Sequence, residues 1–141
     1  MADILDTFNI ASSGLHAQSI RLQNIATNMA NARTTHTAEG GPFQRRTVMF
    51  RAEEVDPFGS AIDRASQKVV VQGIQADTRP PIRTYDPGHP DAGPDGYVSY
   101  PDINVLQEMV DLMTTNRSYE ANANVVEATR DMAMTALNIG R

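Results

Sequence analysis

A chain of 141 residues with no cysteine, a formal net charge of −5 and 40% apolar residues has room for one modest domain and none for disulfide staples, thiolate metal sites or a cysteine nucleophile. Its 21% charged residues fit neither a disordered chain nor a membrane protein, and no apolar run approaches the ~20 residues of a spanning helix. The acidic balance argues against a nucleic-acid partner, and "MADILDTFNI" lacks the regions of a Sec-type signal, so the expectation is a chain that stays inside or leaves by a route that reads no such signal.

Punctuation divides the sequence into 1–32, 33–101 and 102–141. All eight prolines lie between Pro42 and Pro101, and all nine asparagines lie outside that interval. Proline interrupts helices, so the long helices belong to the two flanking arms. In the N-terminal arm, Ile4, Phe8, Ala11, Leu15, Gln18, Leu22, Ile25, Met29 and Ala32 alternate at spacings of three and four, with Gln18 the one polar member. That heptad predicts a helix from Ile4 to Ala32, capped by Asp3, with Asp6 in its first turn. Beside the seam run Asn24, Asn28 and Asn31, mediocre helix formers one turn apart.

The middle segment reads differently. "FQRRTVMFRA" and "KVVVQGIQAD" have the β-branched and aromatic content of short strands. "RPPIRTYDPGHPDAGPDGYVSYP" reads as consecutive turns. In the C-terminal arm the seam returns as Val105, Met109, Leu112, Asn116, Tyr119, Ala123, Val126, Arg130, Ala133 and Leu137, two of the ten polar. Val125, Met132, Ala136 and Ile139 add a second apolar face, which points to more than one neighbouring helix. Asn104 with Gln107 has the form of a capping box, and Gly140-Arg141 suits a helix end. The expected class is therefore α+β: long N- and C-terminal helices paired as a coiled-coil-like layer, with a small β/loop middle. That middle is too small to cover two such helices, so apolar seam is expected to stay open until assembly buries it.

The candidate chemistry is thin. His89 stands among Asp86, Asp91 and Asp95, where a metal or acid–base pair can be imagined; the competing and favoured reading is a polar turn whose acids bind backbone N–H groups. Asp91, Asp95, Gly96 and Asp102 partly follow a calcium loop, but Gly93 and Pro94 break it. Arg45, Arg46 and Arg51 form a basic patch that reads either as a site for phosphate or an acidic partner or, with more support, as a solvated strand face salt-bridged to acids such as Glu53 and Glu54. Ser12, Ser13 and Gly14 read as small packing residues. No cofactor is expected.

The residues also carry a resemblance. "SSGLHAQSIRLQNIATNMANARTT" resembles the N-terminal signature of bacterial flagellar axial proteins, the rod and hook family, through Ser13-Gly14-Leu15, Ala17-Gln18, Arg21-Leu22, Ala26, Asn28 and Ala30-Asn31. "TTHTAEGGPFQRR" and the stretch from "YDPGHPDAGPDGYV" to the C-terminus resemble the basal-body rod proteins of the proximal, C type. His36, Ala38 and "YPDINV" depart from that pattern, and residues 53–68 carry none of it.

The resemblance implies a structural subunit of the proximal rod, exported by the flagellar type III apparatus without a cleaved signal. It implies polymerisation through the terminal helices into a torque-transmitting tube across the periplasm, in contact with copies of itself, other rod proteins and membrane-ring or rod-adaptor proteins. It implies no nucleic acid and no small-molecule substrate. A distal-rod or hook component is the alternative within the family, and a cytoplasmic coiled-coil adaptor is the alternative outside it. The assembly positions then expected are Leu15, Leu22, Ile25, Asn28, Met29 and Asn31 on the first helix, and Met109, Leu112, Asn116, Tyr119, Val126 and Leu137 on the second. Leu22, Ile25, Met29 and Ala32 would face the paired helix, the asparagines a neighbouring one, with Asn116, Asn122 and Asn124 as candidate partners.

Overall fold

The computed structural model describes residues 2–55 and 66–139. Two helices, α1 (Ala2–Ala30) and α2 (Val105–Ile139), enclose in sequence two antiparallel hairpins. At ~1.5 Å per residue the helices are ~43 and ~52 Å long. The first hairpin pairs β1 (Arg46–Glu54) with β2 (Gln67–Ala76), and the second pairs β3 (Ile82–Tyr85) with β4 (Tyr97–Tyr100). The α+β architecture expected from the heptads and the β-rich middle is the one observed.

The helix ends follow local chemistry. α1 stops at Ala30, two residues before the expected Ala32, because Asn31 turns on the last carbonyls. Its Nδ2 donates to the Thr27 carbonyl at 2.9 Å, its Oδ1 accepts from Thr34 Oγ1 at 3.1 Å, and its carbonyl accepts the Thr34 N–H at 3.1 Å. At the other end the helix already begins at Ala2, and the cap expected of the Asp3 side chain lies outside the described residues. Asn104 does cap α2, its Oδ1 accepting the N–H groups of Leu106 at 3.0 Å and Gln107 at 3.2 Å. The box is only half made, because Gln107 reaches forward to Asp111 at 3.2 Å instead of back to Asn104. The Gly140-Arg141 end lies outside the described residues.

The β1–β2 hairpin lies along α1. Its register shifts by one residue between Met49/Gly73 and Phe50/Val71, which leaves Gln72 as the extra residue of a bulge. Ser13 receives the hairpin: its Oγ donates to the Ile10 carbonyl at 2.7 Å and accepts the Val69 N–H at 3.1 Å. Further along, the Arg21 guanidinium sits 4.6 Å from the centre of the Phe50 ring. The 79–101 stretch, expected as turns throughout, contains β3 and β4. The prolines flank these strands or fill the loop between them, so none interrupts the ladder. That loop turns through Gly96 at φ +74°, where a Cβ would meet the Tyr85 ring at 2.8 Å.

The two helices pack antiparallel in one register. The fourteen-residue step from Gly14 to Asn28 on α1 matches the fourteen-residue step from Glu108 to Asn122 on α2. At one end of this span, Asn28 Nδ2 lies 3.3 Å from Glu108 Oε2. At the other, a Cβ on residue 14 would stand 2.9 Å from Asn122 Nδ2, so glycine permits the close approach.

Candidate assembly interface

Most of the expected α1 seam turns inward, but Phe8 is exposed, and Ala17, Asn24 and Asn28, which lie beside the seam, are buried. Ala11 and Ile25 are buried, while Leu15, Gln18, Leu22 and Met29 are half-buried. On α2 the inward stripe is another one. Glu108, Thr115 and Thr129 are buried, with Asp111, Ser118 and Asn122 half-buried. Of the expected seam, Leu112, Ala123, Val126 and Ala133 are half-buried, but Val105, Met109, Asn116, Tyr119, Arg130 and Leu137 are exposed. The expected α2 seam lies about one position around the helix from the observed inner face.

Hydrogen bonding explains how a polar stripe can face inward. Thr115 Oγ1 donates to the Asp111 carbonyl and Thr129 Oγ1 to the Val125 carbonyl, both at 2.7 Å. Such bonds to the preceding turn satisfy the hydroxyls within their own helix and leave the methyl groups for packing. Glu108, 1% exposed, is satisfied from outside its helix. Arg45 Nε and Nη2 both lie 2.8 Å from its Oε1, and Asn28 Nδ2 is at 3.3 Å from its Oε2. A buried carboxylate is tolerable when paired and hydrogen-bonded in this way.

The asparagines beside the α1 seam belong to the same junction. Asn28 is 1% exposed, and its amide makes a two-way bridge with the backbone of Arg46. The Arg46 N–H donates to Oδ1 at 2.9 Å, and Nδ2 donates to the Arg46 carbonyl at 2.9 Å. One turn earlier, Asn24 Nδ2 donates to that carbonyl at 2.6 Å. Asn24 therefore fastens the start of β1, Asn28 fastens both that strand and α2 through Glu108, and Asn31 caps α1. None of the expected partners meets them: Asn116 donates to Glu120 at 3.2 Å on its own helix, Asn122 stands at Gly14, and Asn124 is exposed. Glu108, Arg45 and Ser13 are the residues that sequence reasoning missed in these roles. The one available signal was that Glu108, Thr115, Asn122 and Thr129 also keep a spacing of seven.

The remaining candidate sites resolve as local structure. Arg45 pairs with Glu108 instead of facing phosphate, while Arg51 reaches Glu53 at 3.2 Å and Lys68 reaches it at 3.6 Å, the salt-bridged strand face that was favoured. In the β3–β4 loop the polar groups bind backbone, as the turn reading requires. The Gly88 N–H donates to Asp86 at 3.3 Å, the Asp91 N–H to His89 Nδ1 at 3.1 Å, and the Tyr97 N–H to Asp95 at 3.4 Å. Thr35 Oγ1 ties the loop to the segment after α1 through Asp91 Oδ2 at 2.6 Å. Among the described residues, no three His, Asp or Glu side chains are grouped to hold a metal ion.

Two carboxyls are held below the usual aspartate value of 3.8. For Asp77 the chief cause is the hydrogen bond from the Arg79 side chain, which also bridges to Asp102 at 2.7 Å. For Asp95 it is the Tyr97 backbone N–H, followed by Arg83, which bonds the carboxylate and lies 5.1 Å from the centre of the Tyr97 ring.

What the chain leaves open is an apolar row on α2. Leu106, Met109, Val110 and Met113 are 72%, 44%, 50% and 62% exposed. Their spacing puts them on one side of the first helical turns, roughly opposite the stripe of Glu108 and Thr115. Farther along, Met132, Leu137 and Ile139 are also exposed, as are Leu5 and Phe8 on α1.

Comparison with known proteins gives this geometry its setting. Residues 95–139, which hold β4 and α2, match the family described as "Flagellar basal body rod FlgEFG protein C-terminal". The chain is 40% identical over 133 residues to "Flagellar basal-body rod protein FlgC" of Agrobacterium fabrum, covering 92% of this chain and 90% of that protein. It is 35% identical over 147 residues to the protein of the same name from Borreliella burgdorferi, covering 96% and 97%, and 35% identical over 138 residues to that of Salmonella typhimurium, covering 98% of both. Likeness of this degree along nearly the whole length places the chain in the FlgC family of flagellar basal-body rod proteins, as a structural subunit of the rod and not an enzyme.

Proposed function

We infer that this subunit polymerises through its two terminal helices, with residues 1–32 and 102–141 forming the inner layer of a tube and residues 33–101 packing outside it. The observation that carries this reading is the exposed row Leu106, Met109, Val110 and Met113, apolar surface on a helix whose inner face is already occupied. The α1 positions Leu15, Leu22, Ile25, Met29, Asn28 and Asn31 act by setting the shape of the pair, and the exposed α2 positions Met109, Tyr119 and Leu137 by direct contact. An open-ended rod needs contacts between two different surfaces of each subunit, because a self-complementary patch closes on itself.

The finer parts of the reading are the proximal position, torque transmission across the periplasm, contact with membrane-ring or rod-adaptor proteins, and export by the flagellar apparatus without a cleaved signal. They rest on the sequence signatures and on family membership. The test is Met109→Glu with Met113→Glu in a strain lacking the native subunit. Both side chains are exposed, so the purified variant should stay folded and helical while failing to enter isolated basal bodies, and cells should lose motility. Normal swimming would overturn the reading. Ile25→Asp would not discriminate, because Ile25 is 5% exposed and its loss would unfold the chain itself.

A further inference from the structure

A heptad seam does not define its own register. The inward positions of α2 repeat every seven residues, so sliding it along α1 by seven residues, ~10 Å, lays the stripe of Thr115, Asn122 and Thr129 on the α1 seam again. We propose that Asn28, Glu108 and Arg45 form a register lock, which admits one of the alignments the heptads allow and thereby fixes which exposed apolar residues stand side by side on the helical pair. This rests on the reading of those helices as the assembly surface.

In the observed register the buried Glu108 carboxylate meets the Arg45 guanidinium and the Asn28 amide, and Asn28 simultaneously holds both backbone groups of Arg46. One heptad of slip toward the N-terminus of α1 brings Glu108 level with Arg21, which offers an ion pair but neither that amide nor the Arg45 contacts. A slip the other way carries Glu108 beyond Ala30, where α1 has ended. Either slip strips donors from a carboxylate that is 1% exposed. A buried charge that finds its full set of partners in one alignment acts in this manner, selecting among alignments that the seven-residue repeat otherwise allows. The alignment has a consequence at the far end of the pair. There it sets Leu5 and Phe8 of α1 at the level of Met132 of α2, all exposed, and a slip would separate them by about two turns.

The absence of native cysteine permits clean labelling. Spin labels at Asn9→Cys and Arg117→Cys, both exposed and at different levels of the pair, report the slip as a change in separation in the dilute, complete chain. The parent should give one distance. Glu108→Met with Arg45→Met, which replaces the ion pair by apolar volume, should keep its helical circular dichroism and show a second distance in roughly a tenth or more of molecules. Glu108→Gln, which keeps the volume and an acceptor, should show the same second distance at lower population. A single distance in whichever variant folds overturns the lock. The readout needs no assembly, so it fails or succeeds apart from the Met109/Met113 test.

Discussion

Truncating Asn28 to alanine puts the helix junction to a quantitative test. The side chain makes three bonds, and their replacements differ. The Arg46 carbonyl loses Asn28 Nδ2 but keeps Asn24 Nδ2 at 2.6 Å, so it stays satisfied. The Arg46 N–H loses Asn28 Oδ1; leaving this part-buried donor unmade costs up to ~1–3 kcal/mol. Glu108 keeps both Arg45 contacts and loses only the long 3.3 Å bond, a loss of ~0.5–1 kcal/mol. Together these give about 1.5–4 kcal/mol, a shift of about 10- to 900-fold in the folding equilibrium.

Asn24→Ala removes one of two donors to a single carbonyl and should cost ~1 kcal/mol or less. Asn28→Asp keeps an acceptor for the Arg46 N–H but sets a carboxylate against the Arg46 carbonyl and Glu108, so at neutral pH it should cost more than Asn28→Ala. Urea unfolding followed by helical circular dichroism supplies the order from midpoints, provided the slope is unchanged. An Asn28→Ala value within ~0.5 kcal/mol of the parent, or an Asn24→Ala cost that equals it, would refute the claim that Asn28 carries the junction.

Ser13→Ala should free the Val69 amide from α1 and raise its hydrogen-exchange rate, at a cost of ~0.5–1.5 kcal/mol; unchanged exchange would mean that Ser13 does not anchor the hairpin. Gly96→Ala should disorder the β3–β4 loop, since the residue stands at φ +74° with its new Cβ against Tyr85, and loss of the Tyr85 and Tyr97 near-ultraviolet signal reports it. For Asp77 and Asp95 the folded values lie below 3.8, so their contribution is present above the unfolded value and is lost as pH falls through the folded one. The tyrosine signal of the loop should therefore hold at pH 5 and fade below ~4, and a flat acid titration would contradict the sign.

The sequence disclosed the parts of this fold that depend on local pattern. The α1 heptad, the first two strands and the Asn104 cap each follow from residues within a few positions of one another. What it hid depends on partners far along the chain. Nothing in "QNIATNMANARTT" says that Asn24 and Asn28 will meet the backbone of Arg46, eighteen or more positions later. On α2 two stripes share a period of seven, and hydropathy favours the one that lies outside. The inner stripe passes for polar because a sequence does not show that Thr115 and Thr129 turn their hydroxyls onto their own helix, or that Arg45 neutralises Glu108. β3 and β4 are obscured by the surrounding prolines, since Pro81 directly precedes the one four-residue strand and Pro101 directly follows the other.

The partition of α2 bears on how strongly a single contact could hold two copies together. Its polar stripe is spent within the molecule and its apolar row is kept outside, the reverse of an ordinary surface helix. Burying a large apolar side chain fully contributes ~1.5–3 kcal/mol. Leu106, Met109, Val110 and Met113 retain about half of their surface, so covering all four is worth roughly 3–6 kcal/mol. Association of two chains costs ~4–15 kcal/mol in lost translational and rotational freedom. One such row therefore reaches no further than the low end of that cost and gives at most a weak dimer. A subunit that buries this row together with the Leu5, Phe8 and Met132 surface at the other end meets that cost once for several contacts. Dilution should accordingly release monomers rather than dimers, and sedimentation across a concentration series that revealed a stable dimer would show that a single row suffices.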